Sequence, residues 1–183
     1  MILSMGVVFA SCNGKGAVAQ SNEENDTLWN DQIQSVFYDV PFGTSKDSLL
    51  AAFKRHHFTP VPELDSDMNM HFMYKGGEFY SFGGMEWELL TVEFLNDKFN
   101  LIEFMNCEDD KDAALKQYDI IKKAVSKEYQ LEDFDNGDPT VYASCLGYGR
   151  DNRKVGVSCF AYEDVDKEMK VGVDLVFMDE NLR

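Results

Sequence analysis

A chain of 183 residues with 44% hydrophobic and 13% aromatic content is long enough to bury one sizeable core and too apolar to remain disordered. Its formal charge of -16 argues against nucleic acid, because every phosphate contact would oppose the protein's own field, and it disfavours docking on anionic lipid headgroups. Basic peptides and basic protein surfaces are easier partners, and the same charge also serves simply to keep a secreted protein soluble.

Residues Met1 to Ala10 read MILSMGVVFA, an uncharged apolar run too short to span a bilayer, and Ser11 and Cys12 follow at once. That is the layout of a secretion segment with its cleavage site. Phe9-Ala10-Ser11-Cys12 resembles the lipobox of bacterial lipoproteins, with Phe9 where leucine is usual. The resemblance implies a signal segment over residues 1–12 and a lipidated Cys12. It also implies a cell-envelope location, on the periplasmic side or the cell surface, with membrane contact through the lipid alone. Residues 13–31 are small, polar and acidic, which reads as a flexible tether. Residues 32–183 then form a single domain, divisible into halves 32–107 and 108–183.

Within the domain, Ser35 to Val40 alternates as a strand and Pro41-Phe42-Gly43 ends it. Thr44, with Asp47 three residues on, suits the start of a short helix whose apolar side is Leu49, Leu50 and Phe53. Pro60 and Pro62 open a loop through Asp67, and Met70 to Lys75 is a plausible strand. Two glycine pairs, Gly76-Gly77 and Gly83-Gly84, bracket Phe79, Tyr80 and Phe82, so this stretch is either a wide hairpin loop or an irregular strand. Glu86 to Leu95 and Lys98 to Asn106 form a hairpin across Asn96-Asp97, a pair that tolerates positive φ. Two-residue closure would pair Phe94 with Phe99, Val92 with Leu101 and Leu90 with Glu103, setting Leu101 and Met105 on the apolar face.

The clearest element runs from Cys107 to Tyr129. Glu108, Asp109, Asp110 and Asp112 suit the positive end of a helix dipole, and lysines 116, 122, 123 and 127 suit its later turns. Ala114, Tyr118, Ile121 and Val125 fall on one stripe, so this helix needs a large apolar partner. After an acidic turn region, strands are expected at Thr140 to Tyr148, Lys154 to Tyr162 and Met169 to Met178. One parity of these strands is nearly all apolar. The other carries Tyr142, Tyr148, Phe160 and Tyr162 among polar groups. The order of elements implies an α+β fold: an antiparallel sheet with both helices packed on one face, built as a tandem α-β-β-β repeat. The aromatic face is then either an open interaction surface or a surface covered by the segment near Trp29 and Phe37, or by the Phe79 to Phe82 loop.

Three stretches carry a further resemblance: Val40-Pro41-Phe42-Gly43-Thr44-Ser45 before a short helix, Phe82-Gly83-Gly84 before a hairpin, and Tyr118 with Tyr129 on the long helix. Together they look like small secreted bacterial lipoproteins, and the duplication is similar to the β-lactamase-inhibitor-protein-like fold. The resemblance implies protein binding through a sheet face, with no functional residue carried over. An envelope protein or peptide, basic in character, is therefore the expected partner, and neither catalysis nor a cofactor is expected.

Cys145 and Cys159 lie on neighbouring strands with matching parity. A loop of Asp151 to Arg153 would set them opposite each other, as a disulfide or as two buried thiols. The alternative to a binding module is a metal-dependent or hydrolytic envelope enzyme using His57, Asp65, Asp67 and His71. Against it, Met70 occupies the glycine position of a calcium loop and no nucleophile motif is present, so no metal site is assigned.

Overall fold

A computed structural model describes residues 29–66, 68–135, 137–164 and 166–182. Cys12, the lipobox and Asp67 lie outside the described residues. In chain order the elements are β1 (Trp29–Asn30), β2 (Val36–Phe37), β3 (Val40–Pro41), α1 (Lys46–Arg55), β4 (Phe58–Pro60) and β5 (Asn69–Tyr74). Next come β6 (Tyr80–Phe82), β7 (Met85–Trp87), β8 (Leu89–Leu95), β9 (Lys98–Glu108) and α2 (Lys111–Val125). The chain closes with β10 (Glu132–Asp133), β11 (Val141–Gly149), β12 (Arg153–Glu163), β13 (Met169–Asp179) and a short 3-10 turn. The result is an α+β protein, dominated by one nine-stranded sheet.

Both helices follow from local chemistry. Asp110 caps α2, its carboxylate accepting the Ala113 N–H at 2.9 Å, and the expected stripe of Ala114, Tyr118, Ile121 and Val125 is buried. The start of α1 differs from expectation. Ser45, rather than Thr44, sits at the N-cap, and the Thr44 hydroxyl instead donates to the Pro41 carbonyl at 2.7 Å. Pro41 Cα is held in β3, so Thr44 serves the turn that precedes the helix.

The segment from Ser35 to Val40 also departs from expectation. It is a tight hairpin, β2 with β3, that reverses at Tyr38 and Asp39, with φ of 50° and 65°. Gly83 and Gly84, at φ of 62° and 74°, close the β6–β7 hairpin and resolve the glycine-bracketed stretch. Trp29 and Asn30, which composition places in the tether, form β1. The buried Asn30 amide donates to the Gln130 carbonyl at 3.1 Å and to the Tyr148 carbonyl at 3.3 Å, and its oxygen accepts from the Gln130 N–H at 2.7 Å.

The sheet runs β1-β11-β12-β13-β9-β8-β5-β4, with β10 also pairing β11. The outer edge of β11 is thereby covered by β1 and β10, and the far edge is the short β4, which ends at Pro60. Asn96 and Asp97, at φ of 51° and 60°, make the expected β8–β9 turn, and Phe94 opposes Phe99 as expected. Beyond that pair the register shifts. Glu93 opposes Leu101, Val92 opposes Ile102 and Leu90 opposes Phe104, leaving Asn100 as an extra residue in β9. One inserted residue inverts the parity of everything after it. Ile102 and Phe104 therefore enter the core, and Leu101, Glu103 and Met105 turn to the opposite face.

On the core face the row Phe72, Leu90, Phe104, Leu175, Val157 and Cys145 crosses six strands in register. These residues share one buried cluster with Leu49 and Phe53 of α1 and the whole α2 stripe. Phe82 of β6 stacks on Phe104 with ring centroids 4.0 Å apart and planes 5° from parallel, and Phe37 lies 5.1 Å from Phe177. The β2–β3 and β6–β7 hairpins thus pack on the core face.

Candidate binding face

The opposite face of the sheet takes its residues from the other parity of the same strands. One row across it reads His71, Thr91, Glu103, Val176, Gly156 and Leu146. A neighbouring row reads Leu89, Met105, Asp174 and Ser158, and the next sets Cys107 opposite Gly172 and Gly172 opposite Phe160. Phe37 and Phe82 are on the core face, so neither covers this one.

Three of the four expected aromatics lie on this face, each partly buried, but not together: Phe160 and Tyr162 are neighbours, whereas Tyr148 opposes Lys154, six residues from Phe160 along β12 and so about 20 Å away. The Phe160 ring lies across Gly172, where a Cβ would come within 3.0 Å of it. A side chain at 172 would push the ring outward by a few tenths of an ångström, and glycine there lets it rest on the strand. Tyr162 lies 6.1 Å from Phe160, centroid to centroid, and its hydroxyl donates to Cys107 Sγ at 3.0 Å. Tyr148 is flanked by Trp29 at 6.2 Å and by the Lys154 ammonium at 5.3 Å from its ring centroid. Trp29 therefore borders the face at Tyr148 and is itself 45% exposed.

Tyr142 does not join them. Val141 opposes Phe160 and Ala143 opposes Cys159, so a register shift falls at Tyr142. Its ring packs against the core cluster with Lys111 of α2 3.8 Å from the centroid, and it lines a cavity with Tyr118 and Lys122 of that helix. The inserted residue removes it from the Tyr148, Phe160, Tyr162 surface.

In the middle of this face sits an acid pair. Asp174 is 6% exposed and is hydrogen-bonded to Glu103, which also accepts from Thr91. Burial, followed by the Glu103 charge, pushes the Asp174 carboxyl well above the usual range, and burial raises Glu103 as well. Both carboxyls are thereby held toward their protonated forms, Asp174 the more strongly. The Ser158 N–H donates to Asp174 Oδ1 at 2.9 Å.

Cys145 and Cys159 are free thiols. The β11–β12 turn has the expected three residues but falls one residue earlier, at Arg150 to Asn152, so the pairing register moves by two. Cys145 opposes Val157 and Cys159 opposes Ala143, so the thiols are diagonal neighbours. Diagonal pairs sit about 7–8 Å apart, beyond the usual Cα span of a disulfide of about 4.4–6.8 Å. Burial raises both thiols, Cys159 to about 11, and Tyr118 hydrogen-bonds Cys145. They behave as small apolar core residues.

Of the metal-like group, Asp65 Oδ1 accepts the His71 N–H at 2.7 Å and lies 3.7 Å from His71 Nδ1. His57 is elsewhere, since its carbonyl accepts from Lys75 N–H while that of His71 accepts from Val61 N–H. The two histidines are therefore about 13 Å apart along the strand pair. Among the described residues, no three His, Cys, Asp or Glu side chains are placed to hold a metal, and no helix is long and apolar enough to cross a membrane.

No family model matches the chain, and no curated protein or solved structure matches it at a significant level. The Glu103–Asp174 pair escaped sequence reasoning because Glu103 was paired with Leu90, on the apolar face. Only the insertion at Asn100 brings it beside Asp174.

Proposed function

We propose that this chain is a lipid-anchored cell-envelope lipoprotein whose domain is a non-catalytic module binding a protein or peptide through the Tyr148, Phe160, Tyr162 face. The observation that carries this reading is the partial exposure of these rings, Phe160 and Tyr162 side by side and Tyr148 farther along, on the face opposite the buried core. Tyrosine and phenylalanine give large contact area at small entropic cost, and they recur at interface centres. The charge of -16 favours a basic partner. Lipid anchoring rests on the Phe9-Ala10-Ser11-Cys12 sequence.

The finer architecture supports the same reading. Both helices contribute apolar residues to the core-face cluster, and among the described residues neither helix has a residue in the rows named on the other face. Two units, α1-β5-β8-β9 and α2-β11-β12-β13, meet where β9 and β13 pair antiparallel, which fits a tandem α-β-β-β duplication. Such a duplication matches proteins that bind others through a broad sheet face.

The test is crosslinking and capture from native envelope, comparing the intact protein with a Tyr148→Ala, Phe160→Ala, Tyr162→Ala variant of unchanged circular dichroism. A basic partner held by the intact protein and lost by the variant is the expected result. Equal capture by both, or capture by neither, would discard this face.

A further inference from the structure

A cavity of about 260 Å³ lies on the core-face side of the sheet, between the last turn of α2, the β6–β7 turn and β13. Its wall includes Phe82, Val125, Leu175 and Phe177, the last three buried and all four part of the core cluster or packed against it. Protein interiors are close-packed, and voids wider than a water molecule are few. Two positions leave this one unfilled: Gly83, which the turn holds at φ of 62°, and Ala124, half-buried on α2. Met85, half-buried and flexible, can adjust to an occupant.

Two features indicate what the cavity would take. The first is its apolar wall. The side chains of Phe82, Val125, Leu175 and Phe177 offer no hydrogen bond, whereas an ordered water needs roughly two to four polar partners. Phe177 meets Phe82 and Tyr129 at centroid distances of 6.0 Å and 6.2 Å, with planes at 83° and 73°. Edge-to-face packing is already the pattern here, and a further aromatic ring would extend it. A dry apolar cavity of about 150 Å³ takes a benzene molecule, so this one has room for a ring and a short alkyl arm.

The second feature is charge. Glu128 is the single charged side chain of the lining, and it is exposed, without an ion-pair partner among the described residues. Ala124 and Val125 are the last residues of α2, so the negative end of that helix dipole falls at the cavity. Lys123 and Lys127 are exposed and outside the lining, and Lys122 is paired with Asp133. Gln34 and Tyr129, the other polar members of the lining, are neutral, and burial keeps the Tyr129 phenol so. An occupant with an apolar body and a cationic end meets both features.

We propose that this cavity binds a small arylalkyl amine, its ring against Phe82, Leu175 and Phe177 and its ammonium at Glu128. The site is on the opposite side of the sheet from Tyr148, Phe160 and Tyr162, and the two readings stand or fall independently.

The experiment is titration of the full chain with phenethylamine, phenethyl alcohol and phenylpropionate, which share a ring on a short arm and differ in charge. Binding is followed by calorimetry and by the methyl proton resonance of Met85. Ala124→Leu fills the cavity, and Glu128→Gln removes the charge at an exposed position, with circular dichroism confirming the fold of each. The amine should bind saturably and shift the Met85 methyl, with Kd on the order of 1 mM, as fits a ligand this small. The alcohol should bind about threefold more weakly, the gain that an exposed charge pair gives, and the propionate more weakly still. Glu128→Gln should bring amine and alcohol level, and Ala124→Leu should weaken both about tenfold or more, as added methylenes do in an apolar pocket. Amine binding indifferent to Ala124→Leu, an amine preference that survives Glu128→Gln, propionate binding as tightly as the amine, or no saturable amine signal would each overturn the proposal.

Discussion

On the core face the row Phe72, Leu90, Phe104, Leu175, Val157 and Cys145 crosses six strands without a charged group. One residue away along each strand, the outer row reads His71, Thr91, Glu103, Val176, Gly156 and Leu146. The strands and the backbone ladder are the same for both rows, so the contrast lies in the side chains alone. The core row belongs to one buried cluster with residues of α1, α2, β2 and β6–β7, whereas among the described residues the outer row is not part of that cluster. Stability is thereby concentrated on one side, and the other can carry polar and aromatic groups without unfolding the domain. The proposed binding role of the outer face rests on this separation of tasks.

The sharpest way to break this contrast is to cut the same chain on both sides. Phe104 is fully buried, stacked on Phe82 and in ring contact with Phe37, Trp87 and Phe177. Phe104→Ala should cost about 3–5 kcal/mol in urea unfolding, the usual loss for a large aromatic deleted from a close-packed core. Val176→Ala, at a half-buried position on the outer row, should cost about 1 kcal/mol or less. Comparable losses at the two positions would mean that the outer face is covered in the protein and that the contrast is false.

How much of this was legible in the sequence follows the same division. The α2 stripe could be read because Ala114, Tyr118, Ile121 and Val125 are apolar at helical spacing among charged neighbours, leaving one way to bury them. The parity of β12 and β13 could be read because Val155, Val157 and Cys159 on one strand and Val171, Val173, Leu175 and Phe177 on the other form unbroken apolar alternations. β9 could not, because Leu101 and Ile102 are adjacent and both apolar, and either can face the core. The choice is made by Asn100, an extra residue that alternation has no means of announcing. Tyr142 was misplaced for the same reason, by a register shift within a strand whose two faces are both partly apolar. The Tyr38-Asp39 reversal was missed because tyrosine is a poor signal for a left-handed turn.

The acid pair sharpens the contrast through pH. Burial, and for Asp174 the neighbouring Glu103 charge, raises both carboxyls in the folded protein. The unfolded chain releases their protons near a pH of about 4, while the folded chain still holds one. Their contribution to stability is therefore complete below that pH and is lost as pH rises toward the raised folded values. Glu103→Gln removes one of the two charges and leaves an amide that can still accept from Thr91 and donate to Asp174. The variant should lose less Tm than the parent between about pH 4 and about pH 8. Identical pH profiles would mean that the pair is solvated and that the centre of the outer face is open to water.

The smallest effect concerns the edge of the proposed binding surface. The Tyr162 hydroxyl donates to Cys107 Sγ, and this bond opposes the burial that raises the thiol. Tyr162→Phe keeps the ring against Phe160 and deletes only the donor, so stability should change by about 1 kcal/mol or less. The thiolate loses its hydrogen bond, so Cys107 should react more slowly with a thiol-specific reagent at mildly alkaline pH, while the buried Cys145 and Cys159 remain protected. Faster labelling in the variant would show that the hydroxyl shields Cys107 instead of stabilising its anion. The same variant also separates contact area from polarity in partner capture. If the ring provides the affinity, Tyr162→Phe retains the partner that Tyr162→Ala weakens; if the hydroxyl does, both variants lose it alike.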